Sequence, residues 1–384
     1  MVLKVADRGE IPPFIVMDVM HSAAIRESQG NDVLHLEVGQ PSTKAPEKVI
    51  SAAKMALDAD NLGYTPALGL LSLRQGIAGH YKTWYGLDIP AERIVATKGS
   101  SAAFVLSFMA AFNPGDRVAM ASPGYPAYRN ILTALGIEPV LVLTGLEHRF
   151  QPTVALLETL NQPLDGLIIA SPSNPTGTMI NDKEMHELAT YCKEKEIRLI
   201  SDEIYHGITY EEKAVSALGS NIDSLVINSF SKYFSMTGWR LGWMVVPNDL
   251  IRPIECLAQN MFISPPTLSQ LAATAAFQSY AEAEENVKRY AQNRSILMNE
   301  LPSSGITKLA PADGAFYVYA DVANLTDDSV YFCQKMLKDI GVACTPGLDF
   351  DPDRGRVTIR FSFAGAQCDM IDACQRIKTW LKFP

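Results

Sequence analysis

From Arg93 onward the chain alternates short, nearly continuous apolar runs with helical patterns of ten or more residues, and this alternation restricts the fold most. A strand that is apolar on both faces needs both faces covered, and helices between parallel strands supply that cover. Seven strands are expected: Arg93–Thr97, Arg117–Ala121, Pro139–Leu143, Gly166–Ala170, Arg198–Asp202, Leu225–Asn228 and Leu241–Val246. Helices are expected at Ala102–Phe112, Ala127–Leu135 and Asp182–Lys195. The expected class is α/β, with a mostly parallel central sheet flanked by helices. Ligands of such sheets sit beyond the carboxyl ends of the strands, so polar residues just after a strand are the first functional candidates.

Beyond Ser264 the pattern changes to helices Thr267–Ser279 and Ala283–Leu301, strand Ala315–Ala320, helix Ser329–Ile340, strand Val357–Phe363 and a last helix Ala366–Lys382. At 384 residues, a large domain plus a smaller α/β domain is expected. The expected division is an N-terminal segment 1–40 packing with the small domain, a large domain 41–282 and a small domain 283–384. A net charge of −9 argues against a nucleic-acid binder, which needs a basic face for phosphates. No apolar run approaches the roughly 20 residues of a membrane span, and Met1–Asp18 does not read as a signal peptide. The six cysteines form no CxxC pair, so neither a disulfide framework nor a metal site is expected. The sequons at Asn293 and Asn324 carry no further sign of secretion, and a cytoplasmic protein is expected.

Chemistry-bearing residues follow the strands. Ser229-Phe-Ser-Lys232 directly follows Leu225–Asn228, and Arg240 comes eight residues later. A lysine in that place suits a Schiff base with an aldehyde, while Ser229 and Arg240 suit an anionic group beside it. Ser171-Pro-Ser-Asn-Pro-Thr-Gly177 follows Gly166–Ala170, and Asn174-Pro175 suits a tight turn. Asp202-Glu-Ile-Tyr205 offers a carboxylate for a ring nitrogen and a phenol for a ring oxygen. Lys98-Gly-Ser-Ser101 precedes a helix whose free N–H groups suit an anion. Tyr125, in Ser122-Pro-Gly-Tyr125, suits stacking on a planar ring. Taken singly, these segments also read as helix caps, surface turns or a core tyrosine.

Together and in this order, the segments resemble the class I/II aminotransferases of pyridoxal phosphate (PLP) fold type I, in the style of the bacterial subgroup that includes aspartate aminotransferase. The resemblance runs from Val38-Gly-Gln-Pro-Ser42 to Arg360. It implies PLP bound to Lys232, with Asp202 at the pyridinium nitrogen, Asn174 and Tyr205 at the phenolic oxygen and Tyr125 on the ring. It places Ser100, Ser101, Ser229 and Arg240 at the phosphate, with Tyr64 reaching the phosphate of a neighbouring subunit. It gives the substrate carboxylate to Arg360, with Gly39 and Asn174 close by. Lys232, Asp202 and Tyr205 would be the catalytic set, in a homodimer with shared active sites.

An aminotransferase moving an amino group from an α-amino acid to a 2-oxo acid is the favoured reading. A C–S β-lyase on the same fold is the alternative, and a non-catalytic regulator is third. In the aspartate-specific branch a lysine stands where this chain has Ser101, and Ile11-Pro-Pro-Phe-Ile-Val-Met17, which could cover the substrate, has no basic residue. A neutral donor, aliphatic or aromatic, is therefore expected in preference to aspartate; an arginine arriving from elsewhere could rescue a dicarboxylate, and Lys98 is near enough in sequence to be a candidate.

Overall fold

The structure, a computed structural model, describes residues 3–382. Its seven-stranded sheet runs in the order Ile94–Thr97, Gly242–Val245, Leu225–Ser229, Arg198–Asp202, Gly166–Ala170, Arg117–Ser122, Glu138–Leu143. All neighbours pair in parallel except Gly242–Val245, which is antiparallel to both of its neighbours. The inner strands are buried over nearly their whole length, with Arg117, Ala121, Ala170 and Arg198 half-buried, as their apolar runs require. Helices cover both faces. One of them, Asp182–Glu194, starts on a capping box in which Asn181 and Glu184 satisfy each other's backbone N–H groups.

Register lines up the strand ends that matter. Ala170 pairs with Asp202, Asp202 with Ile227, and Ser229 with Gly242. Gly242 pairs with Thr97 on its other side, so the turns after four strands open on one edge.

A second, antiparallel sheet runs Thr345–Pro346, Thr358–Ser362, Tyr317–Asp321, Lys308–Leu309. Leu34–His35 pairs in parallel with Val342–Ala343, and the helix Ile15–Ser28 packs against Val342–Pro346. The helix Tyr280–Ser303, about 36 Å long at 1.5 Å per residue, connects the region of the large sheet to that of the small one.

Several expectations are corrected. The helix expected over Thr267–Ser279 is α-helical only over Thr267–Ala273 and tightens into a 3₁₀ turn at Ala276–Gln278. That turn places Phe277 against the ring of His80, 5.5 Å between centroids. The expected strand Ala315–Ala320 begins at Tyr317, because Ala315 has a left-handed φ of 56° that no strand accommodates. The helices Ile15–Ser28, Glu47–Asp58, Leu71–Tyr85 and Asn248–Met261 were not expected. Among the described residues no helix is long and apolar enough to cross a membrane.

Candidate active site

At the shared edge of the large sheet lies a cleft, with Lys232, Asp202, Tyr205, Tyr125 and Asn174 on its walls. Asp202 ends its strand and is almost wholly buried. One carboxylate oxygen accepts from the Tyr128 phenol, the other from the Ile204 amide at 3.1 Å. Burial raises its carboxyl to about 6, against the pull of those two donors and of Lys232.

Lys232 donates to the Gly39 carbonyl at 2.7 Å and lies 5.9 Å from the centre of the Tyr205 ring. Burial, with Arg360 and Arg240 nearby, brings its amine down to about 8. The Tyr205 and Tyr317 hydroxyls share a 2.7 Å hydrogen bond, and burial keeps both phenols protonated well into the alkaline range. A Cβ on Gly39 would lie 1.6 Å from the Tyr317 hydroxyl, so only glycine fits against that ring. Tyr125 stands on edge to Tyr128 and to Phe14, at 5.2 and 5.7 Å between centroids.

Arg360 reaches the cleft from the second sheet, where it pairs across to Thr345 and Tyr319. Its guanidinium lies between the rings of Tyr317 (4.3 Å) and Phe350 (4.7 Å). It donates to Asn174 Oδ1 at 2.7 Å, to Thr345 Oγ1 at 3.2 Å and to the Glu37 carbonyl. Its Nε–H is buried and has no partner. An arginine held on both faces, with a spare buried donor, is organised to grip a planar carboxylate.

At the other end of the cleft the helix Gly99–Ala111 begins without a side-chain cap, so its first N–H groups are available to a ligand. Ser100 and Ser101 sit in that first turn and line the cleft. Gly99 has φ of +75°, and a Cβ there would lie 2.6 Å from Arg240 Nη2. The guanidinium is therefore laid directly over the helix start, which makes a cradle for a dianion.

The structure thus brings Lys232, Asp202, Tyr205, Asn174, Tyr125, Ser100, Ser101, Arg240, Gly39 and Arg360 to one cleft. Ser229 does not line it, because its hydroxyl is turned inward to the Leu241 carbonyl and to Ser231; Ser231 lines the cleft in its place. Tyr64 is 85% exposed and reaches no part of the cleft in its own chain. Lys98 does not line it either, its ammonium lying over the Phe262 ring at 5.5 Å.

Tyr128, Tyr317, Ser231 and Thr237 were not singled out from sequence. Tyr128 carried a signal, standing one helical turn beyond Tyr125. Tyr317 carried none, since it meets a tyrosine 112 residues away.

The model of the family described as aminotransferase class I and II matches residues 31–377. The chain belongs to the class I and II aminotransferases. It is 50% identical to a valine–pyruvate aminotransferase of Mycobacterium tuberculosis, over 98% of each chain. It is 31% identical to an aspartate aminotransferase of Sulfurisphaera tokodaii, over 93% of this chain and 92% of the relative. A crystal structure of an aminotransferase from Mycobacterium tuberculosis superposes with a TM-score of 0.98 at 49% identity, over the whole of both chains. This aminotransferase is therefore an enzyme of amino-group transfer, on a fold it shares with its solved relatives.

Proposed function

We propose that this aminotransferase works with pyridoxal 5′-phosphate held on Lys232 and moves the amino group of a neutral, aliphatic α-amino acid to a 2-oxo acid such as pyruvate. The residues fit the cofactor on three counts: the uncapped helix start under Arg240 for its phosphate, Asp202 for its ring nitrogen, and Lys232 for a Schiff base to its aldehyde. Bound there, PLP supplies an electron sink for the pair left when the substrate Cα loses its proton.

The protein's own groups do the rest. Asp202 would hold a proton on the ring nitrogen, and a cation opposite it would bring its raised carboxyl back down. Asn174 and Tyr205 stand ready to donate to the ring's phenolic oxygen. Tyr205 also keeps its own proton, because burial and Tyr317 raise its phenol. Lys232, already lowered to about 8, is a competent base near neutral pH and can carry the proton away from Cα. Arg360 fixes the substrate carboxylate and with it the direction of the Cα–H bond.

The cleft's charges carry the choice of donor. Among the described residues that line it, the only cations are Lys232, Arg240 and Arg360, and each already has a role. The wall beyond is Phe14, Val16, Met17 and Val38. An aspartate side-chain carboxylate would be desolvated there without a partner, at a cost of several kcal/mol. The name of the 50% identical relative, valine–pyruvate aminotransferase, supports the same class of donor.

Tyr64 supports a homodimer with shared sites. It is exposed beside Leu62, and Thr267 donates to the Gly63 carbonyl at 2.7 Å, which joins this segment to the region of exposed Met261 and Ile263. A second copy would cover that surface and bring Tyr64 to the partner's phosphate cradle. Six free cysteines support a cytoplasmic enzyme.

The test is kcat/KM for valine, leucine, alanine, phenylalanine and aspartate with pyruvate as common acceptor. Valine or leucine should lead aspartate by about 100-fold or more. Aspartate ahead of every neutral donor would overturn the assignment.

A further inference from the structure

The helix Ile15–Ser28 has a flaw at its start that local sequence does not repair. Its N-cap residue is Phe14, which offers no side-chain acceptor to the first N–H groups. The acceptor comes from 334 residues further on. Asp349 Oδ1 accepts from the Ile15 amide at 3.0 Å, and Oδ2 accepts from the Val16 amide at 3.3 Å. The carboxylate is 1% exposed, so it is committed to this contact. It also sits at the positive end of a 14-residue helix, where a negative charge is favoured.

The segment that carries Asp349 is anchored to three parts of the active site at once. Its own carbonyl accepts from Arg129 at 2.8 Å, and the Phe350 carbonyl accepts from the Gly124 amide at 3.1 Å; these donors flank Tyr125. The Phe350 ring lies under the Arg360 guanidinium. Through the helix cap, the same segment fixes Phe14 edge-on to Tyr125 and sets Val16 and Met17 into the cleft wall.

We propose that Asp349 is a positioning residue for donor selection: its carboxylate ties the N-terminal helix down so that Phe14, Val16 and Met17 form the apolar roof over the substrate side chain. It touches neither substrate nor cofactor and acts through the helix. The roof matters in proportion to the apolar surface placed beneath it. Valine carries two methyl groups beyond alanine, worth about tenfold in selectivity in a closed apolar pocket. Loosening the roof therefore takes selectivity from the larger donor first. This inference rests on the reading of the site as one for neutral donors, but one arm of its test does not.

The experiment uses the PLP-loaded enzyme, as wild type, Asp349→Asn and Asp349→Ala. The asparagine keeps the shape but has one acceptor, and it turns an NH2 group toward the Val16 N–H. Hydrogen exchange of peptides covering residues 13–20, read by mass spectrometry without substrate, should speed up by about tenfold in both variants. Exchange in peptides covering Arg198–Asp202 should be unchanged. In parallel, the ratio of kcat/KM for the wild type's best neutral donor to that for alanine should fall about fivefold, with kcat at saturation within about twofold of wild type. Wild-type exchange at residues 13–20 would overturn the cap. Faster exchange with equal losses for both donors would leave a helix cap with no part in selection, and so overturn the proposal. A wild type that prefers aspartate would instead defeat the neutral-donor reading, while the exchange arm would still decide the cap. Should Asp349→Ala not fold, Asp349→Asn carries both arms.

Discussion

The floor and the roof of the cleft are built on opposite plans. The floor, with Asp202, Tyr205, Asn174 and Lys232, is polar and stands on the ends of adjacent strands of one buried sheet. Sheet register sets those positions, and register in a fully buried sheet is strongly specified. The roof, with Phe14, Val16 and Met17, is apolar and is held by a carboxylate from the far end of the chain. On the proposed reading, the floor's groups serve what every substrate of amino-group transfer has in common, and the roof meets the side chain that differs between amino acids. Reaction and selection can therefore change separately in this architecture.

The comparison breaks most visibly at the floor. On the proposed reading Lys232→Ala would remove both the attachment of the cofactor and the base, and kcat should fall by at least about 10⁴-fold for every donor alike. A steady-state assay with valine and with alanine checks this, and a loss confined to one donor would mean that Lys232 belongs to selection. Asp202→Asn keeps the hydrogen bond from Ile204 but, in the proposed role, could not hold a proton on the ring nitrogen, so kcat should drop by about 10²- to 10³-fold with the fold intact by circular dichroism. Near-normal turnover would remove Asp202 from the chemistry.

At the roof the effect is smaller and selective. Met17→Lys places a cation where none lines the wall, and the kcat/KM ratio of aspartate to valine should rise by about tenfold. An unchanged ratio would show that Met17 does not face the side chain of the donor.

How legible each region was follows from the same contrast. Six of the seven strands could be read because burial on both faces leaves nearly unbroken apolar runs, the edge strand Glu138–Leu143 being mostly half-buried, and the residues after them inherited their positions. Alternation after a strand end does not say which of two serines turns inward: Ser229 donates to the Leu241 carbonyl, and Ser231 lines the cleft. The helix Ile15–Ser28 was missed for a physical reason: it follows Pro12-Pro13, its cap residue is Phe14, and the acceptor it needs is Asp349. No local window contains that information. Tyr317 and Arg360 meet the floor from another sheet, and only the resemblance to a family pointed to Arg360 beforehand.

The smallest effect lies beneath the floor. Glu203 follows Asp202 and is buried, with Oε1 taking three hydrogen bonds from Ser201, Ser216 and the Ala217 amide, while Oε2 has none. Burial raises its carboxyl to about 8. The folded state thus keeps a proton that the unfolded chain loses above about 4.5, and stability is lost as pH rises from there to about 8. Glu203→Gln has no proton to lose. Its melting temperature relative to wild type should climb by about 2 °C or more between pH 5 and pH 8. A difference independent of pH would mean that Glu203 is ionised in the folded protein throughout.

The most direct test of the whole account is to reduce the PLP-loaded enzyme with borohydride, digest it and map the added pyridoxyl mass. The account predicts the label on Lys232, in the peptide that follows the strand Leu225–Ser229. A label on any other lysine, Lys98 at the phosphate end included, would contradict it.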